Sequence, residues 1–242
     1  MSLAGSGGLG QEGLGQRLWP EELQRELSGG LVQGAAQLGV ALSELQVDQL
    51  TRYLHMMAQW GRVYNLTAIL DPQAMLTHHV LDSLAVVPHL DAHLNSAPSP
   101  QIIDAGSGAG LPGVVLAVTR PHWQITCVDA VAKKAAFVQQ VAATLGLVNL
   151  TGLHSRVEAV RLQADVLVSR AFASLADFVT CTGHLLKPSG VWLAMKGQEP
   201  RGEIEALPSD TEVFHVKPLT VPALQAERCL VWMRQLKQLQ PF

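Results

Sequence analysis

The sequence predicts an α/β protein built on a mostly parallel, doubly wound sheet, and three observations carry that prediction. The first is the stretch Gln101 to Arg120, QIIDAGSGAGLPGVVLAVTR, where a short apolar run ends in Asp104, breaks into alternating glycines and becomes apolar again. That pattern describes a buried strand, a tight turn and the start of a helix at Leu111 and Pro112, the ligand-cradling opening of such a sheet. The second is the alternation beyond it. Strand-like runs at about Ile102, Gln124 to Asp129, Leu150, Val166 to Ser169 and Val191 to Met195 are separated by helical segments, as βαβ crossovers require. The third lies near the C-terminus, where Glu212 to Val216 and Cys229 to Met233 have no helix-length pattern between them and pair most simply as antiparallel strands.

Length and composition set the frame for these elements. With 242 residues, 48% of them hydrophobic, the chain can bury one sizeable core and carry an extension. A formal net charge of -3 argues against gripping nucleic acid by overall charge and leaves room for a local basic patch. The three cysteines, Cys127, Cys181 and Cys229, are far apart and show no C-x-x-C spacing, so they indicate neither a disulfide framework nor a zinc site. A reducing cytoplasm fits them best. No window approaches the roughly 18 apolar residues of a membrane span, and the N-terminus lacks the basic start and apolar run of a secretory signal.

Residues 1–19 read as a flexible, glycine-rich tail and residues 20–94 as a helical extension. Pro20 and the glutamates behind it suit a helix N-terminus, Gly29 and Gly30 end that helix, and a second is expected over Leu31 to Leu38. Ser43 and Gln46 fit a capping box ahead of the stripe Val47, Leu50, Leu54 and Met57. A turn is expected at Asn65 to Ile69. Asp71 and Pro72 then start a helix whose apolar stripe is Leu76, Val80, Leu84 and Val87. His78 and His79 point about 100° apart on such a helix, so they are read as structural, with His79 nearer the apolar face. The prolines and small polar residues of 95–100 mark a linker, and residues 101–242 form the sheet domain. Within it, a helix over Val131 to Leu145 carries Val131, Ala135, Val138, Val141 and Leu145 on one stripe.

The chemistry gathers at the strand ends. Gly106, Gly108 and Gly110 let the backbone take positive φ and approach a ligand, and Gly113 allows close packing of helix on strand. Read as Gly108, Gly110 and Gly113, the turn also satisfies G-x-G-x-x-G, so the glycines leave a nicotinamide cofactor and S-adenosylmethionine both open. Asp104 either anchors the loop or meets a cationic amino-acid ligand, which suits an ammonium better than a pyrophosphate. Asp129 ends ITCVD, 23 residues beyond Gly106, where a carboxylate accepts hydrogen bonds from ribose hydroxyls.

The motifs YNLTAI (64–69), HHVLDSL (78–84), DAGSGAGLPG (104–113), HSRVE (154–158), VSRAFASL (168–175), AMKGQ (194–198) and VPAL followed by ER (221–228) occur in order. Together they resemble the bacterial RsmG family, also called GidB, of small-subunit ribosomal RNA guanine-N7 methyltransferases. The resemblance implies a Rossmann-like class I S-adenosylmethionine-dependent methyltransferase domain behind an N-terminal helical extension. It carries cofactor contacts onto Gly106 and Leu111 of the turn, Val157 and Glu158 near the adenine, and Arg170; Asp129 joins them from the general class I pattern, and Asp104 and Gly108 from the reading of the turn itself. Ser107 and Ala109 stand where threonine and proline are usual in the family. The implied reaction is methylation of guanine N7 in 16S ribosomal RNA, with the small subunit or an assembly intermediate as partner and neither membrane nor metal involved. N7 has a free lone pair and SRAF replaces the N/D-P-P-Y/F motif of amino-methylating enzymes, so no acid or base is assigned. Arg170, Lys196, Arg201 and Arg228 are candidate RNA contacts, with Arg156 and Arg161 further possibilities. Two other functions stay open: an NAD-dependent oxidoreductase, and a cofactor-binding RNA-assembly protein without catalysis.

Overall fold

Helix α1 (Glu21–Gln37) opens the computed structural model of the protein, which describes residues 19–64, 66–94, 97–170 and 172–236. Glu21 and Glu22 in its first turn suit the positive end of the helix dipole. The helix does not stop at Gly29 and Gly30, and no second helix begins at Leu31; one helix runs through. Packing is the reason. A Cβ on Gly30 would lie 3.1 Å from Leu76 Cδ2, and one on Gly34 would lie 2.6 Å from Leu81 Cδ2. Close approach to that neighbouring segment offsets the roughly 1 kcal/mol that a glycine costs inside a helix.

Helix α2 (Glu44–Tyr64) is capped as its sequence implies: Gln46 N donates to Ser43 Oγ at 3.3 Å and Ser43 N to Gln46 Oε1 at 2.9 Å. Its stripe of Leu50, Leu54 and Met57 is fully buried. Of the turn expected at 65–69, Asn65 lies outside the described residues, and residues 66–70 form neither helix nor strand. Asp71 then accepts from Ala74 N at 2.8 Å to start α3 (Pro72–Met75), which continues through a π-helical turn (Leu76–Leu81) into α4 (Asp82–Leu84). The expected stripe is buried, and so is every other residue from 79 to 87. A one-sided pattern has become a helix enclosed on all sides. Helix α5 (Val87–Leu94) follows; residues 95 and 96 of the expected linker lie outside the described residues.

The sheet is made of β1 (Gln101–Ala105), β2 (Gln124–Asp129), β3 (Leu150–His154), β4 (Ala164–Ser169), β5 (Leu186–Lys196), β6 (Thr211–Leu219) and β7 (Arg228–Gln235), in the order β3-β2-β1-β4-β5-β7-β6. The pairs among β1 to β5 are parallel, β7 is antiparallel to β5, and β6 is antiparallel to β7. The connecting helices are α6 (Gly113–Thr119), α7 (Ala132–Leu145), α8 (Leu175–Thr182) and α9 (Arg201–Glu205). On α7 the stripe Ala135, Val138, Val141 and Leu145 is buried, while Val131, at the N-cap, is exposed.

Apolar side chains of α1, α2 and the 72–94 segment form one continuous core with one face of the sheet and with α6 and α7. A smaller core lies on the other face beneath α8. Tyr53 of α2 ties the two parts: its hydroxyl donates to Ala109 O in the glycine turn at 2.7 Å, out of reach of water. Among the described residues, no helix is long and apolar enough to cross a membrane, and no group of three or more histidine, cysteine or acidic side chains is placed to hold a metal.

Candidate functional site

β1 lies between β2 and β4, so the chain leaves β1 towards one edge of the sheet and later resumes on its other side. That reversal opens a crevice at the carboxyl ends of the strands, where ligands of such sheets bind. The turn after β1 occupies it, with φ of +69° at Gly106, +59° at Gly108 and +85° at Gly110. Gly106 N and Ser107 N both donate to Val128 O, at 2.9 and 3.1 Å. Asp129 accepts Gly108 N on Oδ2 at 2.9 Å and Val131 N on Oδ1 at 2.8 Å, while its carbonyl accepts Ser155 N at 3.1 Å. The loops after β1, β2 and β3 are thereby laced together at one carboxylate residue.

The turn has an open and a closed side. A Cβ on Gly108 would meet nothing within 4 Å, and one on Gly106 would meet Phe172 at 3.9 Å. On the closed side a Cβ on Gly113 would fall 2.3 Å from Cys127 Sγ and 2.9 Å from Asp104 Oδ2. α6 starts at Gly113, two residues beyond the expected Leu111, and the Gly113 amide is taken by Asp104 Oδ2 at 2.8 Å. Asp104 is fully buried, and its Oδ1 has no hydrogen-bond partner among the described residues.

Burial lifts the Asp104 carboxyl from 3.8 to about 7, against the Gly113 hydrogen bond and the charge of Arg170. The folded value exceeds the unfolded one, so its stabilising contribution is full below about pH 4 and lost as the pH rises through about 7. His79 works in the opposite sense. Burial, with Arg170 second, holds it at about 4, so its contribution is present above 6.5 and lost as the pH falls through 4. Asp104→Asn is therefore expected to gain stability relative to the unsubstituted protein between about pH 5 and about pH 8. Urea unfolding of both proteins across that range measures the gain; a constant difference would contradict the raised value.

The other expected cofactor contacts are less uniform in position. The Leu111 side chain is buried in the core, and its amide donates to Ser107 O at 3.0 Å within the turn. Val157 is half-buried and Glu158 exposed on a 3₁₀ turn (Val157–Ala159), on the loop that Ser155 joins to Asp129. Arg170, just past β4, is turned towards the π-helical segment: its Nη1 donates to His78 O at 2.9 Å and to Asp82 Oδ2 at 3.3 Å.

There Arg170 lines a cavity of about 360 Å³ with His78, Asp82, Lys196 and Arg228. Three of the four candidate RNA contacts thus meet in one hollow. Lys196 is paired in it with Glu203, at 2.8 Å. Arg201 is outside, 82% exposed and 3.4 Å from Glu199.

Sequence reasoning gave no role to Asp82, the residue that organises this cavity. Its side chain is 3% exposed, with Oδ1 accepting Arg228 Nε at 2.8 Å and Oδ2 accepting Arg170. The π turn explains the geometry. The Asp82 amide bonds to Thr77 O and His79 O and passes over His78 O, the acceptor an α-helix would use, which takes Arg170 instead. The available signal was an acid set within the apolar run VLDSL.

The chain is similar to known proteins in sequence and in fold. A sequence profile of the family described as GidB, rRNA small subunit methyltransferase G, matches residues 46–231, from α2 to β7. Two proteins named ribosomal RNA small subunit methyltransferase G, from Acidovorax sp. (strain JS42) and Leptothrix cholodnii, are each 56% identical, over 84% of this chain and 93% and 94% of their own lengths. A third of that name, from Methylibium petroleiphilum, is 53% identical over 87% of this chain and 96% of its own. In fold, TrmN from Thermus thermophilus is similar with a TM-score of 0.52 at 15% identity, covering 66% of this chain and 53% of TrmN. The fold is the Rossmann-like one of class I S-adenosylmethionine-dependent methyltransferases, with an antiparallel C-terminal pair and N-terminal helices. By the reach of the profile and the identity to these relatives, the chain belongs to the GidB family, rRNA small subunit methyltransferase G.

Proposed function

We propose that the chain methylates the N7 of a guanine in 16S ribosomal RNA, with S-adenosylmethionine as donor, in the cytoplasm where its ribosomal substrate is found. The observation that carries this is the glycine turn, open at Gly106 and Gly108 and fastened to Asp129, in a chain of this family.

The residues present fit the cofactor. Gly108 faces open space, Asp104 keeps a buried oxygen without a partner among the described residues, and Asp129 has further lone pairs for ribose hydroxyls. Gly106, Gly108 and Leu111 would hold the amino-acid portion, and Val157 and Glu158 would flank the adenine. When bound, S-adenosylmethionine supplies a methyl group on a positively charged sulfur. Guanine N7 has its lone pair in the ring plane and no proton to lose, so the chain supplies no base. Its work is to orient the two partners and exclude water, which lowers the entropic part of the barrier. Arg170, Lys196 and Arg228 border the acceptor side and oppose the charge of RNA phosphates.

Incubation with methyl-labelled S-adenosylmethionine and either small ribosomal subunits or protein-free 16S RNA, with the labelled base mapped, is expected to place label on guanine N7. Cofactor binding without transfer to either substrate would favour an assembly protein without catalysis. Tight NAD binding without S-adenosylmethionine binding would overturn both readings.

A further inference from the structure

On β7, Arg228, Leu230, Trp232 and Arg234 alternate onto one face of the sheet, the face that carries the larger core and α5. Arg228 begins the row inside the Asp82 cavity. The partner strand β6 adds to the same face, because Lys217 stands opposite Leu230 and His215 opposite Trp232. A register shift between Val213 and His215 then sets Phe214 beside His215 instead of on the reverse face. The Phe214 ring lies 6.2 Å from Trp232, and the Arg234 guanidinium sits over it at 5.3 Å.

α5 completes the surface from above. His93 is 5.0 Å from the Trp232 ring, and His89 and His93 line a hollow of about 360 Å³ with Phe214, His215, Lys217 and Trp232. A second hollow of about 670 Å³, sharing His93 and Phe214, carries the surface on to Arg234. From Arg228 to Arg234 the row runs about 20 Å at the usual rise of a strand; Leu230 is fully buried and Trp232 5% exposed, so it opens to solvent at its two ends and along Lys217, His215 and Phe214 of β6.

We infer that this strip is a path for single-stranded RNA, which carries the nucleotides flanking the target guanine away from the Asp82 cavity. The inference rests on the ribosomal RNA reading above. Chemistry argues for RNA: the exposed Phe214 ring offers a stacking platform, with cations at intervals for phosphates. Lys217 has no ion-pair partner among the described residues. Glu212 is matched by Arg234 at 2.7 Å, Asp82 is shared by Arg228 and Arg170, and Glu227 adjoins Arg228 at the near end. Burial holds His89 and His93 below the ordinary histidine value, with Lys217 and His215 adding to the effect at His89. At neutral pH both therefore offer uncharged rings for stacking and hydrogen bonds. A protein partner would favour a broader apolar centre than one phenylalanine.

The test uses Phe214→Ala and Lys217→Glu in the full chain, with protein-free 16S RNA as ligand and filter binding as readout. Each substitution is expected to weaken binding about fivefold or more, and Lys217→Glu to lower the salt slope by about one. S-adenosylmethionine affinity and thermal midpoint stay as in the unsubstituted protein, and Phe214→Trp keeps RNA affinity. Variants that bind RNA like the unsubstituted protein would overturn the path. So would a photo-crosslinker on His215→Cys that captures a ribosomal protein and no RNA from small subunits. Failure of the two readings is distinguishable: no methyl transfer but Phe214-dependent RNA binding sinks the methylation reading alone, and normal transfer with insensitive binding sinks the path alone.

Discussion

Asp129→Ala is expected to raise the dissociation constant for S-adenosylmethionine about a hundredfold. The carboxylate accepts two backbone amides, Gly108 N at 2.9 Å and Val131 N at 2.8 Å, so its loss unfastens the turn at Gly108 and leaves it held to β2 only by Gly106 N and Ser107 N on Val128 O. Hydrogen bonds to a charged group contribute about 1.5–3 kcal/mol each, and about 2.8 kcal/mol corresponds to that factor in affinity. The loop lies at the strand ends, where water can replace the lost acceptors, so the fold persists with a thermal midpoint only a few degrees lower. Isothermal titration with S-adenosylmethionine, beside a melting curve, makes the measurement. Unchanged affinity would take Asp129 out of the pocket.

Gly113→Ala is expected to act on the opposite quantity, stability, by about 3 kcal/mol. Its Cβ would stand 2.3 Å from Cys127 Sγ and 2.9 Å from Asp104 Oδ2, both fully buried, so β1 and β2 must part or α6 must lift. Gly113 is outside the positive-φ glycines, which makes the cost steric rather than conformational. Cys127→Ala in the same chain removes the nearest atom and is expected to recover part of the loss in urea unfolding; no recovery would show that the crowding lies elsewhere. Gly108→Ala is the control. It adds a Cβ in open space at φ +59°, at about 1–2 kcal/mol of backbone strain, where a ligand would have to pass.

These two positions also show what the sequence could convey. The glycine turn, Asp104 and Asp129 were legible because each follows a strand at a fixed local offset, and sheet geometry brings strand ends together without further information. The antiparallel pair was legible because too short a connection separated its strands for a crossover. The continuation of α1 through Gly29 and Gly30 was not, since a glycine pair reads as a stop until Leu76 and Leu81 are known to lie against the helix. Arg170 and Arg228 were legible as basic residues near strand ends, but their common partner was not. Asp82 and Arg228 are separated by 146 residues, and no local pattern announces a contact of that range. The register shift that turns Phe214 outward is hidden for a related reason: it exists between two strands and in neither alone.

The π turn at Leu76–Leu81 has a consequence for phase. An α-helix advances about 100° per residue, so a turn that holds one residue more than its pitch allows rotates everything after it against everything before it. Removing one residue there would let the helix rewind to an even pitch. The apolar content would hardly change, and Leu76 could keep its place against Gly30. Asp82 would swing about a quarter-turn away from both arginines. The alignment of the Asp82 cavity with the crevice at the strand ends is thus set like a screw thread, by one residue of surplus helix.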